Sequence, residues 1–155
     1  MSHGRRRPFV SRWARPVNTI ATAIEGACVL PNAEAIVQRN QELFVLLRSG
    51  RMREKRDYDR LCKAVLMAEN LRMFPLAREH GPTFEAAFDA LCQVANARRD
   101  RKLDHYVATA DQLARIKDAL LVHAEQVRAA SLSEIEKAER KLYAQQLTVQ
   151  GRAPA

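Results

Sequence analysis

The chain has 155 residues, with 26 lysines and arginines against 18 acids for a net charge of +8; 47% of it is hydrophobic and only 6% aromatic. That length sets one domain large enough to bury a core. No run of about eighteen apolar residues occurs, which excludes a membrane-spanning helix, and an apolar mass made mostly of Ala, Leu and Val favours close-packed helices over a sheet.

The opening stretch MSHGRRRPFVSRWARP holds five arginines and no acid. Arg5, Arg6, Arg7, Arg12 and Arg15, together with Trp13, read as a flexible basic arm over residues 1–16. Pro8 and Pro16 break the long amphipathic helix that a membrane-surface role needs. Arg6-Arg7-Pro8-Phe9-Val10 has the order of a twin-arginine export signal. Arg12, Arg15 and Pro16 interrupt the apolar region such a signal requires, so the expected compartment is the cytoplasm. Arginine beside an aromatic suits phosphate contact with base stacking; an arm that packs Trp13 onto the domain is equally physical.

Residues 17–30 place Val17, Ile20, Ala21, Ile24, Ala27 and Cys28 at three- and four-residue spacing, as one helix face requires; Pro31 ends it. A second helix follows, with Asn32 as its cap, Glu34 in the first turn where the dipole favours an acid, and an apolar face of Ile36, Val37, Leu43, Phe44 and Leu47. Gly50 supplies the left-handed residue at its end. A third helix runs from about Asp57 to Met73 on a stripe of Tyr58, Leu61, Cys62, Val65, Ala68 and Arg72, stopped by Pro75. A short turn closed by Gly81 leads to a fourth, with Thr83 as its cap and a face of Phe84, Ala87, Phe88, Leu91 and Ala95. The stretch RRDRKLDHYV breaks the period and reads as a loop or a frayed helix end.

Thr109 and Gln112 have capping-box spacing, and Leu113, Ile116, Leu120, Ala124 and Val127 follow on one stripe, with His123 beside it. Ser131 and Glu134 repeat the box before a last helix on Leu132, Ile135, Ala138 and Leu142. The expectation is therefore an all-α, single-domain bundle of five or six helices with short loops, covering residues 17–147, with a disordered tail over 148–155.

Positive charge is clustered. Residues 48–56 hold five basic residues and one acid, and residues 98–102 hold four and one. Outside the arm, Arg51, Arg53, Lys55, Arg56, Arg98, Arg99, Arg101 and Lys102 are the candidates for contact with a nucleic acid; the alternative is solvated loops. No metal or cofactor is expected: the three cysteines, Cys28, Cys62 and Cys92, are widely spaced with no CxxC pair. Their apolar neighbours predict buried, reduced thiols. No nucleophile elbow, P-loop, Gly-rich dinucleotide turn or HExxH occurs, so the chain reads as a non-enzyme. His123 and Gln126 carry the one open question, either as a partner-contact pocket (or an enzyme site centred on His123) or as a core-edge histidine with one satisfied hydrogen bond.

The succession PNAEAI…LLRSG, a middle helix pair, and ATADQLARIKDALLVHAEQVRAASLSEIEKA resembles small uncharacterised helical proteins of proteobacterial plasmids and phages. The likeness spans about residues 31–140, and its most specific part is Leu120, His123 and Gln126 followed by Ser131 at a cap. It implies a mobile-element origin and no particular activity. The leading expectation is a regulatory or nucleic-acid-associated protein of a mobile genetic element. The alternative is an adaptor or inhibitor that docks a host protein, or a second copy, through an apolar helix face.

Overall fold

The computed structural model describes residues 33–151, with side chains described through residue 145. The arm over 1–16 with Arg5, Arg6, Arg7, Arg12, Trp13 and Arg15, the expected helix over 17–30 with Cys28, and the Asn32 cap lie outside the described residues. Within them the chain is all-α: α1 (Ala33–Arg48), α2 (Lys55–Leu71), a 3-10 turn (Arg78–His80), α3 (Gly81–Asp100), α4 (Ala110–Ala129) and α5 (Leu132–Gly151). No strand occurs among the described residues, and no described helix is long and apolar enough to cross a membrane. α5 extends to Gly151, into the stretch expected as tail.

α2 is the hub and packs on α1, α3, α4 and α5. α4 also lies against α1 and α3. The main core joins Leu43, Phe44 and Leu47 of α1 to Leu61 and Val65 of α2, Phe84, Leu91 and Val94 of α3, and Ile116 and Leu120 of α4. A second cluster lies further along α2, where Met67 and Leu71 meet Leu76, Ala129, Ile135, Ala138 and Leu142. Ala87, Ala90, Ala68, Ala119 and Ala138 are all buried; their small side chains permit close helix approach, as the alanine-rich composition implies. Asn70 on α2 donates from Nδ2 to the Ala138 carbonyl on α5 at 3.3 Å, holding those helices in register. Arg128 near the end of α4 grips Glu34 at the start of α1 through Nε at 2.7 Å and Nη2 at 3.3 Å, a two-pronged geometry peculiar to arginine.

The caps of α4 and α5 match the sequence. Gln112 donates its N–H to Thr109 Oγ1 at 3.2 Å, and its side-chain oxygen accepts from the Thr109 N–H at 2.9 Å. Ser131 and Glu134 form the same reciprocal pair. The start of α3 differs. The helix begins at Gly81 with His80 as cap and Pro82 in its first turn, where the missing N–H costs nothing, so Thr83 is not the cap. Gly81 closes the 3-10 turn, as expected, and also opens this helix. A Cβ there would lie 2.6 Å from the Arg72 guanidinium, which donates to the Arg78 carbonyl and to Glu69. A side chain at this position would require the guanidinium to shift.

The thiols also depart from expectation. Cys92 is exposed and Cys62 is half-buried; both are free. On α3 the buried face runs through Phe84, Ala87, Ala90, Leu91 and Val94, which turns Cys92 outward and leaves Phe88 38% exposed. An apolar neighbourhood in sequence did not put Cys92 on the apolar face.

Candidate functional site

Two connections meet at one end of the bundle: residues 49–54 between α1 and α2, and residues 101–109 between α3 and α4. The Tyr106 N–H donates to the Met52 carbonyl at 2.9 Å. Met52 is fully buried, so the first connection is pinned by its side chain and by its backbone. Tyr106 stacks on Tyr58 with ring centroids 4.0 Å apart and planes 6° from parallel. The Tyr58 hydroxyl donates to the Leu91 carbonyl of α3, and burial pushes its pKa up. The Arg98 guanidinium lies 4.2 Å from the Tyr106 ring centroid. Two flat groups this close cannot share one face, so Tyr106 is sandwiched between Tyr58 and Arg98, a stack that joins aromatic packing to cation–π attraction.

This knot brings the two basic stretches together. Arg51, Arg53, Arg56, Arg101 and Lys102 are exposed, and their side-chain charges make no hydrogen bond or salt bridge with another described residue. The other three candidates are already engaged. Arg98 is half-buried and donates to the Leu103 and Asp104 carbonyls at 3.3 and 3.4 Å. Lys55 pairs with Asp59 at 2.6 Å; Arg99 pairs with Asp100 at 3.2 Å. Asp104 and Glu54 are the acids of the two connections; the hydrogen bond of Asp104 with His105 and then the charge of Arg53 hold its carboxyl below the usual range.

His123 and Gln126 are buried on α4, 3% and 0% exposed. Gln126 Nε2 donates to the carbonyls of Ala68 on α2 and of Leu76, both at 3.0 Å. With both N–H groups so committed, its oxygen accepts from His123 Nδ1 at 3.1 Å. Burial drives the imidazole pKa down to about 4, against a small opposing effect of that hydrogen bond, so the ring is neutral at pH 7. Gln126 thus acts first as a cross-link between α4 and the turn after α2. A glutamine on an otherwise apolar stripe was the signal for that role.

Sequence reasoning missed Met52 and Tyr106, the residues that join the basic connections. One aromatic inside a polar, period-free stretch was the available sign. No group of three or more His, Cys, Asp or Glu suited to a metal occurs among the described residues. No protein-family model, curated protein or solved structure matches the chain.

Proposed function

We propose that this protein is a non-enzymatic, nucleic-acid-associated regulator that holds phosphates at the basic end of its bundle. The observation that carries this reading is the meeting of two basic connections on one tyrosine knot, with five exposed cations around it that make no hydrogen bond or salt bridge with a described residue, Arg53 alone acting on an acid, Asp104. A cation without an internal partner is free to displace a counterion from nucleic acid. Tyr58 and Tyr106 are each only 5% exposed, so they cannot stack bases, and the contacts favoured at this end are with the backbone. A mobile genetic element is the origin that the sequence resemblance suggests, and the interrupted export motif favours the cytoplasm.

Gel-shift titration of duplex DNA at two salt concentrations tests the reading. Each phosphate neutralised contributes about 0.9 to the log–log salt slope. Arg51→Ala with Arg53→Ala is expected to flatten the slope by nearly two. Lys137→Ala with Lys141→Ala on α5 serves as the remote control and leaves it unchanged. Absence of binding by the full chain at low salt overturns the reading.

A second reading, an adaptor, is favoured by one feature. α1 and α4 flank a groove floored by Phe44, Leu120 and Ala124, with Val45 and Leu121 46% and 55% exposed at its edges. Partner capture abolished by Leu121→Arg, and insensitive to salt, would support it in place of the first.

A further inference from the structure

α1, α2, α4 and α5 enclose an open groove of about 270 Å³ whose apolar walls include Leu43, Met67, Val127 and Ile135. This is near the lower end for small-molecule clefts. Three cations line it, Arg39, Arg60 and Lys63, against a single acid, Glu139. Arg39 has no salt bridge with a described residue. Arg60 stands 3.8 Å from Asp57, at the long limit of an ion pair. Lys63 points its ammonium toward the Tyr143 ring, 5.3 Å from the centroid, and not toward a carboxylate.

His123 also lines this groove. Its Nδ1–H is fixed on Gln126, because Gln126 has no second way to satisfy its own amide. A neutral ring with its proton on Nδ1 carries a lone pair on Nε2. Nε2 makes no hydrogen bond within the described chain. Yet no fully buried side-chain nitrogen or oxygen among the described residues lacks a partner. Nε2 therefore keeps a small solvent-accessible surface, and the open space beside His123 is the groove. The imidazole thus offers a fixed acceptor in an apolar surround, where an unmatched polar group is costly and a matched one is strong.

We infer that this groove binds a small organic acid with an apolar body, whose hydroxyl or N–H donates to His123 Nε2 and whose carboxylate meets Arg39, Arg60 and Lys63. The inference concerns residues separate from the basic end and does not depend on nucleic-acid binding. It gives the fold a place for an effector.

Three probes separate the requirements: 4-hydroxyphenylacetate has donor and anion, phenylacetate lacks the donor, and 4-hydroxyphenylethanol lacks the anion. The readout is the nitrogen-15 resonance of His123 Nε2 in the full chain at pH 7, with affinity from the titration. 4-Hydroxyphenylacetate should move the resonance upfield and saturably. Each of the others should bind about tenfold more weakly, the worth of one good hydrogen bond or ion contact. Arg39→Gln with Lys63→Gln, both at the rim, should weaken the first probe by a similar factor while leaving thermal stability unchanged. An Nε2 resonance unmoved by the first probe overturns the inference. So does one already hydrogen-bonded in the free protein, which would mean that the chain fills the groove itself. Equal binding of phenylacetate would overturn the role given to His123.

Discussion

Gly50 and Lys102 perform the same backbone task at the same end of the bundle. Gly50 has φ 71° and Lys102 φ 52°. Each turns the chain after a helix with the same pair of bonds: Gly50 N–H to Leu47 O and Arg51 N–H to Leu46 O after α1, and Lys102 N–H to Arg99 O and Leu103 N–H to Arg98 O after α3. This is the Schellman closure, which glycine suits because a Cβ is strained in the left-handed region. Lys102→Gly is accordingly expected to stabilise the fold by up to about 1 kcal/mol. Gly50→Ala meets no atom within 4 Å, so its cost is the backbone strain alone, about 1 kcal/mol. Urea midpoints that move in the same direction for both would contradict this account.

Gln126 is the internal bond whose loss should be felt most. Gln126→Leu removes a donor from the Ala68 and Leu76 carbonyls and the acceptor from His123 Nδ1–H. Buried groups stranded in this way cost about 1–3 kcal/mol each before relaxation, so a total loss of about 3 kcal/mol or more is expected from chemical denaturation. A loss below about 1 kcal/mol would show that water replaces the amide.

Acid should weaken the fold through His123. Its folded pKa of about 4 lies below the ordinary 6.5, so between those values the unfolded chain binds the extra proton. The stabilisation is complete above about pH 6.5 and is lost as pH falls toward 4. Over that window the loss is about 3 kcal/mol. In His123→Leu this component of the pH profile should vanish. A wild-type stability that stays level from pH 7 to 5 would contradict the neutral, buried imidazole.

Thr109→Ala breaks the reciprocal bonds at the start of α4 and is expected to cost about 1 kcal/mol. Thermal denaturation of the variant measures it, and an unchanged midpoint would leave the cap without energetic weight.

The two described thiols should react in a fixed order. Cys92 is exposed. Cys62 is half-buried, and burial pushes its pKa up to about 11, so little thiolate exists at pH 7. Mass spectrometry after brief alkylation is expected to find label on Cys92 well before Cys62; the reverse order would mean that the two helix faces are misassigned.

Much of this architecture was legible locally. Thr109 with Gln112 and Ser131 with Glu134 announce helix starts, and Gly50 announces an end, because a cap needs only three or four consecutive residues. Faces were legible to within about one residue. That margin is enough to send Cys92 outward and to overlook Ala90 and Val94, since a step of 100° moves a side chain from core to rim. The start of α3 was misplaced because taking Thr83 as the cap put Pro82 outside the helix, whereas proline is tolerated in the first turn. The basic candidates could be listed from charge runs. Their meeting could not be read, because it depends on a Tyr106–Met52 bond across more than fifty residues and on a stack no local pattern encodes. The acceptor on His123 was hidden likewise, since its tautomer follows from carbonyls on other elements.

The division of the core carries one more consequence. α5 is held through the second cluster, further along α2 than the main core, and Val122 packs against both clusters. α2 and α4 place side chains in both clusters, whereas α5 packs in the second alone, so its opening leaves the main core intact. Amide protons of α5 should exchange through an opening that leaves α1 to α4 closed, giving this helix a lower protection ceiling than its neighbours. On heating, this helix is then expected to part from α1 to α4 before they unfold, and a single cooperative loss of amide protection across all five described helices would contradict it.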